Sequence, residues 1–206
     1  MGSFCLLEAR DIALSIALML ASMIMLLSFM WIGDLQMLPY ALFSASLITV
    51  GSFIGHEMAH RAVARRLGYI ACFRMVKYGA VMLLLTALIG LAARAPFVFG
   101  VPGAVSIGPR LTGPDSRRFR ALIALAGPGT NVILSALAYP AFKYSVGPIH
   151  TAIWAFYTVN SMLAIFNSLP IPPLDGYQVL GNREFGLWFT LMVSSILVSI
   201  PAFTSL

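Results

Sequence analysis

The chain has 206 residues, of which 60% are hydrophobic and only 10% charged, and its mean hydropathy is +0.91. Soluble domains carry about a quarter of their residues as charges, so this composition excludes one. The net charge of +6 would suggest nucleic acid as a partner in a soluble protein, whereas in so apolar a chain it reports basic loops on the cytoplasmic side of a membrane and implies no nucleic acid.

Taken in order, apolar segments run over residues 12–32, 40–64, 79–93, 119–142, 150–169 and 185–203. Most approach the roughly 20 residues that cross a bilayer. The first follows Arg10, is too long for the apolar region of a signal peptide and lacks a small-residue cleavage site, so it reads as a retained span. The linker 33–39 has no basic residue, whereas 61–77 carries Arg61, Arg65, Arg66, Arg74 and Lys77. The 94–120 stretch is also arginine-rich, and Lys143 stands alone in its loop. The bias of basic residues places 61–77 and 94–120 both in the cytoplasm. Two loops on one side cannot be separated by one full span. The segment between them, 79–93, is the shortest and contains Gly79 and Gly90, so it is expected to be re-entrant or a hairpin against other helices. A tilted full span with a basic outer loop is the alternative.

The stretch "PFVFGVPGAVSIG", 96–108, has the β-branched and aromatic residues of extended structure, broken by Pro102 and Gly103. It could add a strand to another extended peptide or merely connect helices. Cys5 and Cys72 match no metal or redox spacing and receive no role. The expected fold is an all-α polytopic membrane protein of five to six transmembrane helices, with a re-entrant segment and a short β-like membrane-associated region. It forms one domain over 1–206 with its core at 40–180, and no separate soluble module is expected.

The chemistry concentrates in "SFIGHEMAHRAVARR", 52–66. His56 and His60 are four residues apart, so on a helix they share one face and can grip one ion. Glu57 follows His56, where it can reach water at the metal without being a ligand. This is the H-E-x-x-H arrangement: two imidazoles on zinc and a carboxylate that takes a proton from water. At 1.5 Å per residue, His56 lies about 13 Å along the helix from Arg65, at a depth where ionisable groups are costly and usually functional. A solvated helix end beside Arg61 is the bland alternative.

Catalytic zinc takes three protein ligands and keeps one position open. His150 is the other histidine, but it begins its segment at the outer end. Asp175 is the better candidate. It lies in "FNSLPIPPLDGYQVL", 166–180, where Pro170, Pro172 and Pro173 break any helix and Gly176 permits a tight turn. Its alternative is a capping aspartate. If 79–93 is re-entrant, Asp175 arrives at the same end of the bilayer as His56 and His60. If 79–93 spans fully, the two clusters lie at opposite ends and cannot share a metal.

These residues resemble the site-2 protease family of intramembrane zinc metalloproteases. The resemblance rests on "HEMAH" at 56–60, "AGPGTN" at 126–131 and "NSMLAIFNSLPIPPLDG" at 160–176, with Asn167 eight residues before Asp175 and Pro170 between them. It covers about 45–180. It implies one zinc per chain, held by His56, His60 and Asp175, with Glu57 as general base. It also suggests Asn167 near the scissile carbonyl as an oxyanion stabiliser and 96–108 as a substrate-pairing strand. Read from the residues alone, Asn167 could equally bond backbone left open by the prolines, and Asn131 and Asn160 could simply tie helices together. Tyr177 stands where some relatives have a second glycine.

The expected function is therefore intramembrane proteolysis. The partners would be a transmembrane protein substrate and the lipid bilayer, and the setting a multi-pass protein of the plasma membrane with its active site towards the cytoplasm. The rival is a metal-ion transporter using the same His and Asp ligands. A transporter would usually show internal repeats and has no need of Glu57. An inactive scaffold is disfavoured because every residue the chemistry requires is present.

Overall fold

The computed structural model describes residues 5–28, 35–93 and 98–204. Residues 29–32 of the first expected span, 33–34 of its linker, and 94–97, including Pro96 and Phe97 of the expected extended stretch, lie outside the described residues. Among the described residues, five helices are long and apolar enough to cross a membrane: Glu8–Leu26, Leu38–Arg66, Arg117–Tyr144, Pro148–Ser168 and Phe185–Ala202. The protein is an all-α polytopic membrane protein with one small sheet.

Helix α1 (Glu8–Ser28) is followed, after a 3-10 turn at Leu35–Met37, by α2 (Leu38–Ser46). Pro39 sits in the first turn of α2, where a missing amide costs nothing. The helix then runs on through a π-helical stretch, Leu47–Ile54, into α3 (Gly55–Arg66). Wide π turns are rare and gather at functional sites. This one ends immediately before the His56 pair.

Arg61–Lys77, read from its charges as a linker, is more ordered than that. Its first residues complete α3, and Tyr69–Met75 form strand β1, whose aromatic and β-branched residues favour a pleated surface. Strand β2 (Gly103–Arg110) pairs with it antiparallel, Phe73 opposite Val105 and Cys72 opposite Ser106. Between the strands lies α4 (Lys77–Ala93). The chain returns along α4 in extended form: the Phe99 amide donates to Thr86 Oγ1 at 2.8 Å, and the Val76 amide donates to the Pro102 carbonyl at 2.9 Å. Because the strands at the two feet of this excursion pair with each other, α4 goes out and its return comes back to the same end. This is the expected hairpin, its two feet held at one end by the paired strands.

Cys5 and Cys72, given no role from the sequence, are joined as a disulfide, their Cα atoms 5.6 Å apart. A separation of 67 residues hides a pairing that only the fold creates. Nearby, Glu8 takes a two-pronged bond from Arg61 at 2.7 and 3.0 Å and the Phe73 amide at 2.9 Å. The foot of α1 is thereby tied to both α3 and β1. Where β2 leads towards α5 (Arg117–Tyr144), Asp115 accepts from Arg120 and from the Tyr69 hydroxyl. These donors, Arg120 foremost, hold the Asp115 carboxyl down to about 2.

Helix α6 (Pro148–Ser168), the short α7 (Asp175–Gly181) and α8 (Phe185–Thr204) complete the bundle. The buried face of α5 reads Ala121, Ala124, Pro128, Asn131, Ser135 and Ala138, a stripe of small and polar residues at alternating spacings of three and four. Large apolar residues such as Ile133 and Leu137 point outwards. In lipid, helices gain nothing by hiding leucine from a solvent that resembles leucine, so small residues and hydrogen bonds take the interface. Accordingly Ser135 meets Ser161 at 2.6 Å, Ser168 meets Ser195 at 2.9 Å, and Tyr157 donates to the Val198 carbonyl at 2.7 Å.

Candidate metal centre

Helix α3 puts His56 and His60 on one buried face, their rings edge to face with centroids 4.7 Å apart. Against that face runs α5. A Cβ on Gly127 would lie 2.2 Å from His60 Nε2 and 2.5 Å from His56 Nε2, so only glycine lets the helix pass this close. Pro128 beside it cannot donate to the Ala124 carbonyl. In the same turn, the Ile123 carbonyl faces His60 Nδ1 at 2.6 Å.

The chain delivers Asp175 from the other side. Helix α6 stops at Ser168, and α7 begins with Asp175 itself. The cap position belongs to Leu174, so Asp175 is not the capping residue its setting allowed. Gly176 makes the junction possible, because a Cβ there would lie 2.1 Å from the Ser168 carbonyl oxygen. Asp175 Oδ2 ends 3.2 Å from His56 Nε2 and 3.3 Å from His60 Nε2.

These distances test whether a metal fits. A carbonyl only accepts, so His60 Nδ1 carries a proton, and in the neutral ring Nε2 offers a lone pair. That nitrogen lies 3.0 Å from His56 Nε2, and the carboxylate completes a triangle of electron-rich atoms that repel one another unless a cation joins them. Tetrahedral zinc with arms of about 2.0 Å would hold its ligands about 3.3 Å apart, close to the edges of this triangle. Two imidazoles and a carboxylate are a catalytic zinc donor set. The residues fit zinc.

Glu57 is buried on the same helix, and its Oε2 accepts from the Val105 amide of β2 at 2.9 Å. The carboxylate next to His56 is thus fixed by the strand on one oxygen. Asn167 donates to the Leu163 carbonyl at 3.0 Å. It precedes Ser168, whose carbonyl abuts Gly176, so it stands at the junction that delivers Asp175 without belonging to the His56–His60–Asp175 group. His150 bonds Ser145 and packs on Phe142, at the start of α6 and away from this group. Cys5, Glu8 and Cys72 also lie close enough to one another to suggest a site, but the disulfide and the arginines already engage them. Sequence reasoning missed the parts of Gly127 and Ile123. The glycine lay in the "AGPGTN" stretch without a stated reason, and a backbone carbonyl leaves no signature.

Comparison with known proteins decides the family. MJ0611 of Methanocaldococcus jannaschii, named as a candidate zinc metalloprotease, is 41% identical over 150 residues, covering 71% of this chain and 73% of that protein. The chain belongs to the site-2 protease family of zinc metalloproteases. YwhC of Bacillus subtilis, named likewise, is 27% identical over 168 residues, 71% of this chain and 69% of that protein. Rip3 of Mycobacterium tuberculosis, also so named, is 31% identical over 153 residues; these are 70% of this chain but 32% of Rip3, so the protease core described here spans about a third of that relative. No family model matches the chain, and no solved structure does. Membership makes zinc the cofactor, and the His56–His60–Asp175 group could hold it.

Proposed function

We propose that this metalloprotease hydrolyses a peptide bond in or near a transmembrane segment of a membrane-protein substrate, in regulated intramembrane proteolysis. The observation that carries the reading is the convergence of His56, His60 and Asp175, with Glu57 beside them, inside a bundle of membrane-length helices.

Zinc, when bound there, supplies a Lewis acid that polarises the substrate carbonyl and brings the pKa of water towards neutrality. Glu57 accepts the proton from attacking water and passes it to the leaving amine. The Val105 amide steadies one carboxylate oxygen and leaves the other for that transfer. Asn167, at the α6–α7 junction, is the polar group offered to the developing oxyanion.

A substrate helix hides its carbonyls in hydrogen bonds to residues four along, so it must be extended locally before attack. Strand β2 supports this step, since it belongs to a sheet of only two strands and its Val105 amide bonds Glu57. An extended substrate added to it would pass the metal centre. Basic residues gather on α3 and at the start of α5, which supports a plasma-membrane bundle with this end in the cytoplasm and water entering the site from there.

The test is to map the cut. Purified protein in bilayers is given a transmembrane reporter, and the products are sized by mass spectrometry. Cleavage within the apolar span or its last turn is the expected result. Cleavage confined to soluble loops, at equal rates in detached loop peptides, would contradict an intramembrane protease while leaving a metalloprotease.

A further inference from the structure

We propose that Asn131 is a positioning residue for the metal centre: held by Asn160 and Ser52, it fixes which ring nitrogen of His56 faces the metal. The proposal rests on reading His56 as a zinc ligand and adds the group that orients it.

The direction of each hydrogen bond is dictated from the outside inwards. Asn160 Nδ2 lies 2.8 Å from the Phe156 carbonyl and 2.8 Å from Ser52 Oγ. A carbonyl cannot donate, so the amide nitrogen faces it and Asn160 Oδ1 faces the other way. Asn131 Nδ2 donates to that oxygen at 2.9 Å and to the Ser52 carbonyl at 3.2 Å. Both its protons are then used, and Asn131 Oδ1 meets His56 Nδ1 at 2.5 Å. This oxygen has no proton to give, so His56 Nδ1 carries the hydrogen and Nε2 is left as the lone pair aimed at Asp175 and His60. Flipping Asn131 would set its oxygen against the Ser52 carbonyl, and flipping Asn160 would set its oxygen against the Phe156 carbonyl. Ser52, Asn131 and Asn160 are each 0% exposed, so bulk water offers no substitute partner.

His60 reaches the same tautomer by a cheaper device, the Ile123 carbonyl at 2.6 Å. His56 has a side-chain amide instead, whose orientation needs two further residues from two other helical stretches. Joining α5 to α6 does not require this arrangement: Ser135 and Ser161 do so at 2.6 Å one turn further from the metal.

The experiment measures zinc dissociation constants on the purified full chain in detergent, by competition with a chromophoric chelator. The variants are Asn131→Ala, Asn160→Ala, Ser135→Ala and His56→Ala. Removing a group that orients a ligand typically weakens metal binding roughly 10- to 100-fold, which is the result expected for Asn131→Ala. Asn160→Ala is expected to weaken binding less than Asn131→Ala, and Ser135→Ala to leave it within twofold. If Asn131→Ala keeps wild-type affinity, or Ser135→Ala loses as much, the asparagine merely joins helices and the proposal fails alone. Wild-type affinity in His56→Ala would overturn the metal site and the proposal with it. Should Asn131→Ala not fold, the 15N shifts of zinc-loaded wild type decide. Zinc on His56 Nε2 with a protonated Nδ1 supports the proposal, and zinc on Nδ1 ends it.

Discussion

At the scale of single residues, the centre is defined as much by what is small as by what ligates. Gly127 presses α5 against the two imidazoles so closely that a methyl group there would lie 2.2 and 2.5 Å from their Nε2 atoms, where it would compete with a metal bound to them. Gly127→Ala is therefore expected to lower bound zinc from near one per chain to a small fraction while the helices persist. Metal analysis with circular dichroism checks this, and full zinc occupancy would show that α5 can retreat. That His56, His60 and Asp175 form one group was legible in the sequence, because H-E-x-x-H encodes its geometry in a spacing of four and Asp175 had no comfortable place in lipid. The donors and acceptors behind them were not. Ile123 acts through its backbone, and Asn131 was legible only as a buried amide whose partner could lie on any neighbouring helix.

Elements show where local pattern suffices and where it does not. The charge asymmetry of the loops foretold that α4 does not carry the chain across, and the pairing of β1 with β2 at its feet is the physical form of that expectation. The same charges concealed β1, since Arg61 to Lys77 looks like a basic linker although its middle, Tyr69–Met75, forms a strand. Strand pairing joins residues 28 to 41 positions apart, from Met75 with Gly103 to Tyr69 with Arg110, and leaves no local mark. The hairpin predicts that cysteines introduced for Lys77 and Thr112, both exposed, react with an impermeant maleimide from the same side of sealed vesicles. Labelling from opposite sides would restore the full span and would part His56 from Asp175.

For the whole molecule, orientation and chemistry are linked. The hairpin turns α5 outwards and α6 back, which returns Asp175 to the end where α3 carries its histidines. In the proposed orientation that end faces the cytoplasm, where glutathione keeps thiols reduced. The Cys5–Cys72 pair lies at this end, on β1 and the foot of α1. Intact cells treated with a permeant alkylating agent before lysis are expected to yield both cysteines alkylated, the disulfide forming once the protein meets air. A disulfide already closed in the cell would put the sheet on the oxidising side and reverse the orientation.

In the proposed mechanism one zinc on His56, His60 and Asp175 works with Glu57 as the proton carrier. Its most direct test is a paired measurement of metal content and substrate cleavage on wild type and Glu57→Gln. Zinc near one per chain is expected in both proteins, with cleavage reduced roughly 100-fold or more in the variant, the scale on which a lost general base is felt. Equal cleavage by the two proteins at equal zinc content would contradict it.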